Sequence, residues 1–149
     1  MLKKKILLGV TGSIAAYKAA ELIRLLRKNN FFVQVVLTKS AKQFVTPLTL
    51  QALSGNPVLE NMWDPTEGNG MEHINLARTA DLILIAPASG NFIAKLAHGL
   101  ADDLLTNLCL ARSCPLLVAP AMNVEMFNNT ATQRNIEIIK NDGIVISGP

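Results

Sequence analysis

Short aliphatic runs with little polar interruption recur along this chain, each followed by a turn and a stretch of helical period. Lys5–Val10, Phe32–Leu37, Asp81–Ala86, Pro115–Ala119 and Gly143–Ser147 are of this kind. A strand with one wet face alternates apolar and polar residues, whereas a strand covered on both faces reads as a near-continuous Val/Ile/Leu run. Such strands separated by helices form right-handed parallel crossovers. The expected fold is therefore α/β: a Rossmann-like, flavodoxin-like doubly wound parallel sheet in three αβα layers.

The segments between the runs fit this reading. Thr11-Gly12-Ser13 breaks the first run. Ile14 to Lys28 then carries helical periodicity through Ile14, Tyr17, Leu22, Leu25 and Leu26, with Ser13 as N-cap and Asn29-Asn30 as the stop. Pro47–Leu53 reads as a short helical turn closed by Ser54-Gly55-Asn56-Pro57, and Val58-Leu59 as a brief edge strand. Residues 63–70 form a polar loop without periodicity, and Met71–Arg78 one or two helical turns. Pro87–Asn91 turns into a helix over Phe92–His98 that Gly99 breaks. Asp102-Asp103 cap another helix over Leu104–Arg112, and Thr130–Asn141 is helical.

Composition bounds the class. A chain of 149 residues is one domain with a real core. With 50% hydrophobic and 17% charged residues it is apolar for its size. Either both sheet faces are buried, or further surface is buried between subunits. No run approaches the roughly 18 apolar residues of a membrane span, and Met1-Leu-Lys-Lys-Lys opens without a signal-peptide core, so a cytoplasmic protein is expected. A net charge of +3 without a basic, aromatic-laced face argues against nucleic acid. Cys109 and Cys114 have no companions at metal-ligand spacing and read as reduced thiols, with no metal expected. The sequence stops directly after a strand, which reads as truncation or an unseen continuation.

In an open parallel sheet, ligands bind beyond the carboxyl ends of the strands where the order reverses. Thr11–Ile14, Thr38–Ser40, Pro87–Asn91, Ala101–Asp103 and Ala119–Asn123 fall there. Gly9-Val-Thr-Gly12-Ser13 is neither G-x-G-x-x-G nor a P-loop. Alone it is either a structural turn or an amide cradle for phosphate at a helix start. Thr38 and Ser40 add hydroxyls, and no acid follows the second strand to bind a ribose diol. That favours a mononucleotide such as FMN over a dinucleotide. His73, taken alone, is either catalytic or structural; His98, before Gly99, suits a helix end. Asn123, in an apolar turn, needs a partner: backbone, a ligand carboxylate or a flavin. Asp102-Asp103 can be caps alone. No Ser-His-Asp arrangement stands out.

Taken together, the segments form a series. It comprises G-V-T-G-S-I-A-A-Y-K at 9–18, T-P-L-T-L-Q-A-L-S-G at 46–55 and M-E-H-I-N-L-A-R at 71–78. A-P-A-S-G-N-F-I-A-K-L-A-H-G-L-A-D-D-L-L-T at 86–106 and A-P-A-M-N-V-E-M-F at 119–127 complete it. The series closely resembles the homo-oligomeric flavin-containing cysteine decarboxylases, above all their coenzyme A branch, over essentially the whole chain. The resemblance implies FMN and trimers that can assemble into dodecamers, with active sites at subunit contacts. It implies flavin contacts from Gly12, Ser13, Ile14, Thr38, Ser40, Ser89, Gly90, Asn91, Phe92 and Ala121. His73 would be the catalytic histidine, Asn123 would hold the substrate carboxylate with Met122 beside it, and Arg78 would support the site.

The implied substrate is 4′-phosphopantothenoylcysteine. The flavin oxidises its cysteinyl group to a thioaldehyde, CO2 leaves, and the resulting enethiol is reduced again. One departure stands out. That branch carries, after the last strand, a substrate-covering flap with a protonating cysteine, and then a synthetase domain. Neither lies within this sequence, and Cys109 and Cys114 are wrongly placed to replace the flap cysteine. The chain is therefore expected to bind FMN and to perform the oxidative half. Two alternatives are an oxidative decarboxylase of peptides ending in cysteine, as in lantibiotic maturation, and a non-catalytic flavin-binding regulatory subunit. Flavin prenyltransferases share the fold but are not expected to pair His73 with P-A-M-N.

Overall fold

Five parallel strands hydrogen-bond in the spatial order β2-β1-β3-β4-β5. They are β1 (Lys5–Val10), β2 (Phe32–Leu37), β3 (Leu82–Ala88), β4 (Leu116–Pro120) and β5 (Val145–Ile146). The helices are α1 (Ala19–Lys28), α2 (Pro47–Ser54), α3 (Gly70–Thr79), α4 (Gly90–His98), α5 (Leu104–Ala111), α6 (Val124–Asn128) and α7 (Thr130–Asn141). Single 3₁₀ turns lie at Ile14–Lys18 and Ser40–Gln43. This computed structural model describes residues 2–62 and 70–148, the side chains of residues 70–72 excepted. The polar segment expected as a loop at 63–70 falls outside the described residues but for Gly70, which opens α3.

The strand order is the doubly wound, flavodoxin-like one, and its direction reverses between β1 and β3. Alternate residues of the strands feed two cores. Leu7, Ile83, Ile85 and Val118 pack under α3, α4, α5 and α7 through Ala77, Phe92, Ile93, Leu105, Leu108 and Ile139. Ile6, Leu8, Val10, Val35 and Leu37 pack under α1 and α2 through Ala19, Ile23 and Leu50. Gly9 is required on the first face. A Cβ there would stand 2.6 Å from Leu105 Cδ2 and 2.7 Å from Ile85 Cδ1, inside van der Waals contact of a close-packed core.

The expected caps form. Ser13 accepts from Ala15 N, Asp103 makes a capping box with Thr106, and Gly55 and Gly99 close their helices with positive φ. Four details differ from the sequence reading. The helix expected over Ile14–Lys28 begins as a 3₁₀ turn, because Ala16 N bonds the Ser13 carbonyl three residues back. Val58-Leu59 forms only an isolated bridge to Val36. The last strand shrinks to two residues: Ile144 N bonds Ile139 O to close α7 after Gly143, which leaves only Val145 and Ile146 in the ladder. The short helix α6 was not expected; Asn123 caps it. Among the described residues no helix is long and apolar enough to cross a membrane.

Cys109 lies in α5 within the first core, and burial pushes its thiol up to about 12. The folded state thus keeps a proton that the unfolded chain releases near 9.0. The stability this site contributes is full below that value and is lost as pH rises toward about 12. At about pH 8 a thiol reagent should therefore modify the half-buried Cys114 but reach Cys109 only in denaturant. Two equally fast thiols in the native protein would contradict this packing.

Candidate functional site

The carboxyl ends of β1, β3 and β4 are tied together by side-chain hydroxyls. Thr11 is buried; its Oγ1 donates to Pro87 O at 2.7 Å and accepts from Ser89 N at 2.9 Å. Ser13, also buried, donates through Oγ to Ala121 O at 2.9 Å. Ala121 N in turn bonds Ala88 O at 3.1 Å. The end of β2 joins through Thr38, whose N–H bonds Val10 O at 3.1 Å. Four strand ends thus share one hydrogen-bonded rim, at the place where the sheet order reverses.

Inside the rim lies a cavity of about 270 Å³, lined by Thr11, Gly12, Thr38, Ser40, Ser89, Asn91 and Phe92 with four charged residues. Gly12 is the hinge of its floor. A Cβ on it would stand 2.5 Å from Ser40 Cβ and 3.2 Å from the Ser40 carbonyl carbon, so only glycine lets the β1 and β2 turns approach this closely. Thr38 Oγ1 accepts from Ala41 N and Ser89 Oγ from Phe92 N. Each hydroxyl keeps its proton for an anionic or polyol ligand. At about 270 Å³ the cavity is below the ~300–1,000 Å³ that encloses a drug-sized ligand. A second, more apolar concavity of about 250 Å³ runs along Ala15, Lys18, Leu22, Pro87 and Ala119–Ala121.

Of the residues expected to touch a flavin, Gly12, Thr38, Ser40, Ser89, Asn91 and Phe92 line one cavity. Ser13 acts from behind it as a strut, and Ala121 lines the second concavity. Gly90 lies beneath Met122, whose sulfur is 3.5 Å from a Cβ built on the glycine. Ile14 points outward with 77% of its surface exposed. Asn123 is exposed at the start of α6; its Oδ1 accepts from Met126 N at 2.8 Å, which commits the oxygen and presents the NH2 as a donor. His73 is buried on α3, and Arg78 is exposed in that helix's last turn. Neither His73 nor Asn123 lines the two concavities described above.

Two participants were not singled out as individuals from the sequence. Thr11 carries the rim, yet in one sequence its hydroxyl looks like any turn threonine. Lys95 lines the cavity from mid-α4, where the pattern reads only as a solvated helix position. No group of His, Cys, Asp and Glu that could hold a metal occurs among the described residues.

Comparison with known proteins shows the family. The family described as Flavoprotein matches residues 1–149. The coenzyme A biosynthesis bifunctional protein CoaBC of Vibrio vulnificus is 53% identical over 146 residues, 98% of this chain and 36% of that protein. The chain therefore spans about a third of the length of such relatives. A probable phosphopantothenoylcysteine decarboxylase of Streptococcus mutans is 51% identical over 142 residues, 94% of this chain and 79% of that protein. The structure of SpaF, described as an FMN-dependent cysteine decarboxylase, superposes with a TM-score of 0.91 at 36% identity, covering 98% of this chain and 84% of that one.

Gly12→Ala should cost about 1–3 kcal/mol through the clash with Ser40. Because the nearest atom is Ser40 Cβ, Ser40→Gly should restore part of that loss. Thermal or urea unfolding of the double-mutant cycle checks it. Strict additivity would show that the two turns do not press on each other.

Proposed function

The chain belongs to the flavoprotein family, and on that premise we propose that it is the FMN-dependent decarboxylase domain of coenzyme A biosynthesis. It converts 4′-phosphopantothenoylcysteine to 4′-phosphopantetheine and CO2. The observation that carries this reading is the hydroxyl-lined cavity at the strand switch point, floored by a glycine that only just clears Ser40.

The residues fit a flavin mononucleotide. Thr38, Ser40 and Ser89 offer hydroxyl donors and Asn91 an amide to a phosphate and a polyol, and Gly12 lets the β1 turn close against Ser40 to bring these groups together. When bound, the flavin supplies the two-electron oxidation and later reduction that make loss of CO2 easy. Everything else falls to the chain. Asn123, its oxygen fixed by Met126 N, directs its NH2 at the substrate carboxylate and orients it, with Met122 alongside. His73 moves a proton at the cysteinyl thiol. Arg78 supports the site.

His73 is buried on α3 and Asn123 is exposed as the N-cap of α6, and in this reading the two complete a site where copies of the chain meet. A second copy supplies the rest. The assembly is a homotrimer, able to pack further into a dodecamer, and its contact surface includes Ile14 and Tyr17, 77% and 62% exposed. The half-buried Leu82, Ala86 and Leu117 on the less covered sheet face support the same contact. The domain works in the cytoplasm alongside a synthetase domain; the longer relatives being named bifunctional supports the second part of this reading. Its likeness to EpiD, described as a peptidyl-cysteine decarboxylase, favours a second reading, oxidation of a peptide ending in cysteine. Such a peptide and phosphopantothenoylcysteine, offered in parallel, separate the two.

The purified protein should be yellow, and anaerobic addition of phosphopantothenoylcysteine should release CO2. His73→Asn should keep the flavin and slow that release by about 10²–10⁴-fold. A colourless protein that takes up no FMN would overturn the reading.

A further inference from the structure

The charges around the switch-point cavity cancel, Lys39 and Lys95 against Asp102 and Asp103, but their commitments differ. Asp103 is spent on α5: its Oδ1 accepts from Thr106 N at 2.8 Å and from Thr106 Oγ1 at 2.6 Å. Asp102 instead holds Lys95, Nζ to Oδ1 at 3.0 Å. Lys95 arises from the middle of α4. It also lines the groove beside Leu96, Leu100 and Cys109, and it lines the cavity together with the Asp102 that its ammonium holds. Only 21% of its side chain is exposed, against 58% for Asp102. Among the described residues Lys39 has no ion-pair partner.

A phosphate monoester entering here therefore meets one uncommitted cation and one cation shared with a carboxylate. We propose that Lys95 is a phosphate-binding residue for the cofactor and that Asp102 is its positioning residue, which aims the ammonium into the cavity and competes with the phosphate for it. This rests on the reading that the cavity takes FMN. The competition means that the chain holds its cofactor less tightly than its lysines allow, and that the restraint lies in a single carboxylate. A strut between α4 and the loop before α5 would have no such effect on ligand charge.

The test compares FMN with riboflavin, which lacks the phosphate. The flavin-loaded full chain is diluted at rising salt, and released flavin is followed by its fluorescence. Lys95→Met should loosen FMN by about ten- to hundredfold, since a charge-assisted contact is lost. It should also flatten the salt dependence of FMN release and leave riboflavin nearly unchanged. Lys95→Arg should restore most of the affinity, and Asp102→Asn should tighten FMN by about two- to tenfold. Equal loosening of FMN and riboflavin in Lys95→Met, or an Asp102→Asn chain that loosens FMN as Lys95→Met does, would overturn the proposal and leave a strut. A wild-type chain that takes up neither flavin would instead overturn the cofactor reading beneath it.

Discussion

The structure depends on the bonds that tie the carboxyl ends of β1, β3 and β4 to one another. Thr11 Oγ1 sits between Pro87 O and Ser89 N, and Ser13 Oγ reaches Ala121 O. Each such bond is worth about 1 kcal/mol net, but a buried partner left unpaired costs about 1–3 kcal/mol. The rim therefore resists opening more than its bond count implies. With the rim fixed, the β1 turn can approach the β2 turn until only glycine fits at position 12. A cavity with set hydroxyl directions follows, which lowers the ordering cost of binding.

Much of this was legible in the sequence because the physics is local. Continuous aliphatic runs announced strands buried on both faces, and Ser13, Asp103, Gly55 and Gly99 announced helix ends. Gly12, Thr38, Ser40 and Ser89 could be assigned to one place because a parallel sheet sends every strand's carboxyl end to the same side. What failed was set by competition between neighbours. The last strand lost residues to the closure of α7, and Asn123 turned out to begin a helix whose cap fixes its oxygen. Thr11 and Lys95 were opaque for another reason: their partners lie 76 to 78 residues away for Thr11 and in the loop before α5 for Lys95. Neither partner is implied by periodicity.

That His73 and Asn123 belong to different elements has the same origin. Sequence likeness groups residues by chemistry, not by which copy of the chain presents them. In one protomer His73 sits with Ala77 on the face of α3 that packs toward α5, and Asn123 stands beyond β4. Under the proposed function, the apolar composition and the outward Ile14 and Tyr17 are the physical reason to bring another copy in. A small domain with this much hydrophobic sequence gains more by burying such surface between subunits than by exposing it.

The claim that the site is divided between copies can be tested by complementation. His73→Asn and Asn123→Asp chains, each inactive alone, would be dissociated, mixed and reassembled, and CO2 release from phosphopantothenoylcysteine measured. A divided site predicts that mixed assemblies recover a substantial fraction of wild-type activity, because some contacts unite an intact His73 with an intact Asn123. Mixed assemblies as inactive as either parent would place both residues in one protomer's site and contradict the account.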